Sequence, residues 1–173
     1  IHKKENRYTL AKPSDEIRVH DTIEGIISAR LDRLESNLKR TMQVASVIGR
    51  DFAFRILQTI TGMREELKSY LLNLQGLEFI YEKSIFPELE YIFKHALTQE
   101  VAYNSLLHKN RKQIHGKIGQ AIEDLYTDRL EEFYEVIAYH YSRSENHEGA
   151  YRYLKLAGDK ARRGYANTEA LRF

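Results

Sequence analysis

Phe79-Ile80-Tyr81-Glu82-Lys83-Ser84-Ile85-Phe86-Pro87-Glu88-Leu89-Glu90-Tyr91-Ile92-Phe93 is where the hydrophobic period of this chain changes to two. Phe79-Ile80-Tyr81 and Leu89 to Phe93 are rich in aromatic and β-branched residues and flank a loop, Lys83 to Glu88, that contains Pro87. That combination predicts a β-hairpin. Upstream the period is helical. From Asp21, an N-cap candidate, Ile23, Ile26, Ile27, Leu31 and Leu34 recur at the spacing of one helix face. Leu38, Met42, Ala45 and Ile48 predict a second helix, stopped by Gly49. Phe52 to Ile60 predicts a shorter third, ending near Thr61-Gly62, and Leu67, Tyr70, Leu71 and Leu74 a fourth, closed by Gly76. Helices followed by a two-stranded hairpin are the element order of a winged-helix module, with residues 83–88 as the wing.

Downstream, a helical pattern resumes at His95, and Ile114, Ile118, Ala121, Ile122 and Leu125 define a long helix. Tyr134, Ile137, Ala138 and Tyr141, then Ala150, Leu154 and Ala157, fit the tetratricopeptide pattern in register, with Tyr in place of Trp at the first position and Arg162 where the terminal Pro belongs. Small residues at such positions let two helices approach closely. Adding the roughly 34-residue period to Ile137 reaches Leu171, so a second repeat is expected to begin just before Phe173. At the other end, Arg7-Tyr8-Thr9-Leu10 and Glu16-Ile17-Arg18-Val19 alternate around Ala11 to Asp15 and predict a small hairpin. The expected fold is mainly α: residues 1–20 a linker or hairpin, 21–104 a winged-helix domain with a small β-hairpin wing, and 105–173 TPR-like helical hairpins.

Composition removes whole classes of function. A chain of 173 residues is long enough to bury roughly 70% of the surface its unfolded form exposes. Two Pro and nine Gly are scarce punctuation, consistent with long helices and against low-complexity chains. The absence of Cys excludes a thiolate nucleophile, a disulfide framework and a thiolate zinc site. No stretch approaches the ~20 apolar residues of a spanning helix, and the opening His2-Lys3-Lys4-Glu5 has no signal-peptide core, so a soluble, cytoplasmic location with no membrane partner is expected. Beginning at Ile1 without an initiator Met and stopping inside an apolar pattern, the sequence reads as a piece of a longer protein.

Chemistry-bearing motifs are scarce. The phosphate-cradling GxxxxGK[ST] loop, GxGxxG, HExxH, GxSxG and the EF-hand loop do not occur. The seven histidines are scattered, and His108 and His115, two turns apart, are too distant along a helix to share one zinc. Adjacent carboxylates such as Glu65-Glu66 and Glu131-Glu132 point apart on a helix. No catalytic residue and no metal site is therefore expected, and no cofactor within these residues. A DNA-binding winged helix fares poorly on charge: the helix before the hairpin sets Arg64 and Lys68 against Glu65 and Glu66, and Lys83 of the wing is bracketed by Glu82 and Glu88. The net charge of +2 supplies no compensating field. His108, Lys109, Arg111, Lys112, His115 and Lys117 read as a solvated helix face, as do Lys160, Arg162 and Arg163.

Two stretches carry a family resemblance. Residues 21–34, from Asp21-Thr22-Ile23-Glu24-Gly25 to Asp32-Arg33-Leu34, followed by Val44-Ala45-Ser46-Val47-Ile48-Gly49-Arg50-Asp51-Phe52, resemble the segment after the nucleotide-binding core of STAND-type signalling ATPases. In bacteria these ATPases are often fused to class III adenylate/guanylate cyclase domains. Phe93-Lys94-His95-Ala96-Leu97-Thr98-Gln99-Glu100-Val101-Ala102-Tyr103 resembles the family's F-[RK]-H-A-L-x-x-E-x-A-Y signature. The resemblance spans residues 8–173, with one departure: His20 stands where the family usually has Pro before Asp21-Thr22. It implies an ATPase domain, a winged helix and a superhelix of tetratricopeptide-like repeats, of which this chain holds the latter part. It implies ATP or ADP with Mg in the parent protein, and His95 as the imidazole that senses ADP phosphate there.

The expected function is thus a noncatalytic regulatory and interaction fragment. The winged helix would act on a neighbouring ATPase domain, and the repeats would take input from a protein or small-molecule effector. The alternative is a DNA-binding winged-helix transcriptional regulator with a helical effector domain. Because the next repeat is only begun, Ala150, Leu154, Ala157 and Ala161 are expected to lack a cover, and the fragment to self-associate through residues 150–173.

Overall fold

The computed structural model describes residues 2–4, 7–9 and 19–164. It is mainly helical, with a small three-stranded antiparallel sheet. A two-stranded hairpin, β1 (His2–Lys4) and β2 (Arg7–Thr9), is followed by α1 (Val19–Asp32), α2 (Ser36–Ile48), β3 (Asp51–Ala53), α3 (Phe54–Thr61) and α4 (Glu66–Gly76). Then come β4 (Ile80–Ser84), β5 (Glu90–Phe93), α5 (Ala96–Asn104) and α6 (His108–Leu125). A 3₁₀ segment, Thr127–Phe133, leads to α7 (Tyr134–Ser142) and α8 (His147–Arg163). Among the described residues no helix is long and apolar enough to cross a membrane.

The opening hairpin differs from the expected one. His2–Lys4 pairs with Arg7–Thr9, and Val19, expected in a strand, is the first residue of α1. The expected turn at 11–15 and the partner segment 16–18 lie outside the described residues. Asp21, expected to cap α1, sits inside it.

Downstream the helical periods translate directly into buried faces. Leu38, Met42 and Ala45 of α2, Leu57 of α3 and Leu67, Leu71 and Leu74 of α4 are buried in one core with Ile80 and Phe93. A left-handed Gly62, φ 70°, ends α3 as its position predicts. The third helix starts two residues later than expected, because Phe52 belongs to a strand. Asp51–Ala53 pairs with β5, Phe52 opposite Tyr91, giving the sheet order β3-β5-β4. Phe52 stacks on Tyr91 at 5.8 Å and meets Phe93 edge-on at 5.6 Å. Those ring contacts outweigh the helical spacing of Phe52 and Ile56, a tertiary override of local pattern.

Gly76 does not close α4 by a left-handed turn; Glu78 does, at φ 59°. Phe79 N–H donates to Leu74 O and Glu78 N–H to Gln75 O, the two bonds of a Schellman motif. Lys94 holds the Glu78 carboxylate at 3.2 Å, tying this turn to the end of β5. The wing turn is shorter than expected, since β4 runs on to Ser84, with a bulge between Glu82 and Ser84. Its tip leaves Ile85 and Phe86 75% and 87% exposed.

A second core joins Ile118 and Ile122 of α6 to Ile137 and Tyr141 of α7 and Tyr153 of α8. Val47 of α2 and Ile56 of α3 belong to it too, so the first helices are packed on both sides. The four-residue link between α7 and α8 makes them adjacent hairpin partners. Ile137, Ala138, Tyr141, Ala150 and Ala157 are buried, as the repeat pattern requires. That corrects one expectation: Ala150 and Ala157 are covered within the chain and cannot form an open face, while Leu154 and Ala161 are half-buried. Of the segment 150–173 expected to self-associate, residues 165–173 lie outside the described ones.

Tyr141 is the wedge of this half. A Cβ on Gly119 would lie 2.5 Å from its ring, and one on Gly149 2.8 Å from the opposite ring edge. Its hydroxyl donates to Glu123, which also accepts Tyr153 Oη–H at 2.5 Å. Burial and the Glu123 carboxylate hold both phenols well above their ordinary range, so both remain donors. Gly119→Ala should therefore destabilise the fold by about 1–3 kcal/mol through overpacking, although Ala is the better helix former by about 1 kcal/mol. A urea midpoint equal to or above that of the parent chain would contradict the wedge.

Candidate functional site

His95 lies two residues after the end of β5 and is the N-cap residue of α5. Its backbone is extended, φ −129° and ψ 136°, and its carbonyl accepts Thr98 N–H at 3.0 Å. The imidazole is exposed and makes no capping hydrogen bond, so the local satisfaction that an N-terminal histidine often finds is not its role here. The rest of the signature explains this position. Phe93, Thr98 and Ala102 are buried and fix the strand-to-helix turn, and Lys94 is held by Glu78. Tyr103 turns its hydroxyl to Nε2 of His115 at 3.3 Å. The signature thus sets His95 on a rigid base, facing solvent at a helix N-terminus.

A second constellation was not visible in the sequence. Nδ1 of His115 and Nδ1 of His140 lie 2.9 Å apart, one donating and the other accepting, with both side chains buried. Arg111, stacked 4.6 Å over the Tyr103 ring, donates to the carbonyls of Leu106 and Asn104. The expected solvated basic face is corrected at two positions, since His115 is buried and Arg111 is half-buried over Tyr103, while His108, Lys109 and Lys117 are exposed as expected. Burial first, then the Arg143 guanidinium, pushes His115 down to about 4. Burial, then His115 and Arg143, pushes His140 down to about 3. A separation of 25 residues hides the pair, and its one sequence signal is His140 within the apolar repeat helix, between Tyr139 and Tyr141.

Several further cationic residues are committed to neighbours. Lys160 bridges to Glu135 at 3.0 Å and Arg163 to Glu131 at 2.8 Å, so these carboxylates brace α8 against the segment before it. Lys83 of the wing lies 3.5 Å from Asp51 and 3.4 Å from Glu90.

Two of the concavities among the described residues lie between packed elements. A groove of about 400 Å³ runs between α2, α3 and α6, floored by Val44, Ile60 and Ile114 with Arg40 and Lys117 at its edge. A cavity of about 380 Å³ lies between the sheet and the α6–α7 face and contains Glu88 and Tyr126. Tyr126 Oη–H donates to Glu88 Oε2 at 2.6 Å, and burial followed by that bond holds the phenol protonated. Among the described residues no three His, Asp or Glu side chains converge as a metal ion would need. No family model, curated protein or solved structure matches this chain.

The histidine pair makes stability pH-dependent. In the folded state both rings stay neutral down to about 4 and about 3, whereas an unfolded histidine protonates near its ordinary 6.5. The pair's contribution is whole above pH ~6.5 and is lost as pH falls toward 4, at roughly 1 kcal/mol per pH unit for each ring. Urea unfolding at pH 7 and pH 5 should show this loss, and His140→Asn should shrink it. An equal loss in both chains would show that other groups carry it.

Proposed function

We propose that this chain is a noncatalytic regulatory and interaction segment of a STAND-type signalling ATPase. The module of residues 21–104 answers to the nucleotide state of an adjoining ATPase domain, and the helices after it take input from a protein or small-molecule effector. One observation carries the reading. The order α2-β3-α3-α4-β4-β5, with sheet order β3-β5-β4, supports the winged-helix reading, and the F-K-H-A-L run leaves its last strand with His95 exposed at a helix start. An imidazole there can donate N–H to a phosphate oxygen held by another domain, and release of that contact can shift a two-state equilibrium. The buried repeat positions of α7 and α8 favour a tetratricopeptide-like hairpin. A parent output of the adenylate/guanylate cyclase type belongs to the same proposal.

The DNA-binding alternative is weakened by particular side chains. Lys83 is engaged by Asp51 and Glu90, and the wing ends in exposed Ile85 and Phe86, which suit an apolar partner surface better than a phosphate backbone. Calorimetric titration of the 173-residue chain with MgATP and MgADP should give no micromolar binding, since no loop in it clusters backbone N–H groups with a phosphate lysine. In a protein joining this chain to its ATPase domain, His95→Leu should weaken ADP retention and raise basal output. Unchanged ADP affinity and unchanged output would remove His95 from that role. Salt-sensitive duplex DNA binding by the chain would favour the alternative.

A further inference from the structure

The groove of about 400 Å³ between α2, α3 and α6 has an apolar floor and a rim of one sign of charge. Asn110, Gln113, Ile114 and Lys117 stand on one face of α6, at i, i+3, i+4 and i+7, and Arg40, Gln43 and Val44 on one face of α2. Ile60 and Thr61 close it from the last turn of α3. Val44 is buried, whereas Ile60 and Ile114 are half-buried and pack on both cores, so the groove lies along their seam. Its volume is in the range of small-molecule sites.

The polar groups divide into engaged and free. Gln43 donates to Ser105 Oγ at 3.0 Å, and Thr61 Oγ1 to the carbonyl of Leu57 at 2.8 Å. Arg40, Asn110, Gln113 and Lys117 are exposed, and among the described residues their side chains make no ion pair or hydrogen bond. The residues lining the groove include no carboxylate. None stands three or four residues from Arg40 or Lys117 on its own helix either. The carbonyl end of α3 and the N–H end of α6 both reach the groove and oppose each other at about half a charge apiece. The two side-chain cations therefore set its sign.

We infer that this groove binds a small organic carboxylate with a flat apolar body, the carboxylate between Arg40 and Lys117 and the body over Val44, Ile60 and Ile114. Arg40 offers the planar fork that suits a carboxylate, and the Asn110 and Gln113 amides add neutral donors. A phosphate dianion fits less well, since bringing two charges against an apolar floor costs more than bringing one. A docked peptide helix, roughly 10 Å across, would overrun a groove of this volume. The site goes beyond the ATPase-linked reading and does not depend on it, because every group it uses lies within residues 40–117.

The test uses the full 173-residue chain and three probes of one shape: cinnamate, cinnamyl alcohol and cinnamylammonium. Amide shifts followed by NMR should saturate with cinnamate around Val44, Ile60 and Ile114, about tenfold more tightly than with the alcohol, since each of two exposed charge contacts is worth about threefold. Cinnamylammonium should not bind there, and inorganic phosphate, which lacks the apolar body, should stay far from saturation at concentrations where cinnamate saturates. Arg40→Gln and Lys117→Gln, both at exposed positions without internal contacts, should each lower the preference for cinnamate over the alcohol about threefold and together abolish it. Gln113→Trp, on the exposed rim, should fill the groove and weaken cinnamate about tenfold. Absence of saturable binding, equal affinity for the three probes, shifts confined to another surface, or a preference that survives the double substitution would each overturn the site. Shifts of these amides that follow protein concentration instead of cinnamate would assign the groove to a second copy, and saturation by hexaglutamate but not by cinnamate would assign it to an acidic segment; either result overturns the small-molecule site.

Discussion

The carboxylate of Glu123 receives two tyrosine hydroxyls, from Tyr141 in α7 and Tyr153 in α8, and on that junction the helical half of the molecule depends. A carboxylate bound by two phenols is satisfied without a counter-cation, which makes its partial burial tolerable. The bonds fix where the rings lie, and the rings then dictate glycine at 119 and 149, because no Cβ fits beside Tyr141. Asn146 adds its own demand at the start of α8, where its Oδ1 accepts Gly149 N–H at 2.9 Å. Three helices are thereby locked by one polar node inside an apolar cluster.

The sheet half is held differently. Its constraint is the pairing of β3 with β5, which lays Phe52 between Tyr91 and Phe93 and draws α2 and α3 into position behind it. Val47 and Ile56 then face the second core, so the two halves share residues across their boundary. For a segment proposed to pass a signal between an ATPase domain and an effector, this matters physically. Coupling needs an element that both sites bias, and α2, α3 and α6 are packed into one continuous body.

Polar groups in the junction fall into two kinds. His115, His140 and Tyr103 satisfy one another in a chain, at the cost of remaining uncharged. Glu88 accepts from Tyr126 through one oxygen, while its other oxygen lies 4.0 Å from Arg55 Nε and is closed to solvent. The first arrangement is closed by hydrogen bonds; the second leaves one oxygen with an ion-pair partner and no hydrogen-bond donor. His95 differs from both, being exposed, unbonded and fixed only by the backbone of a strand-to-helix turn.

Sequence alone determined the helices, the hairpin at 80–93 and the repeat-like burial of Ile137, Ala138, Tyr141, Ala150 and Ala157, because each is written in a local period or in residue size. It also placed His95 at a helix start, through the motif around it. Tertiary structure decided what sequence spacing cannot encode. Asp51–Ala53 is a strand only because β5 lies beside it, 39 or so residues away by register. His115 meets His140, Tyr153 meets Glu123 and Tyr126 meets Glu88 across 25, 30 and 38 residues. Such pairings follow from how helices cross, and no local pattern carries the crossing.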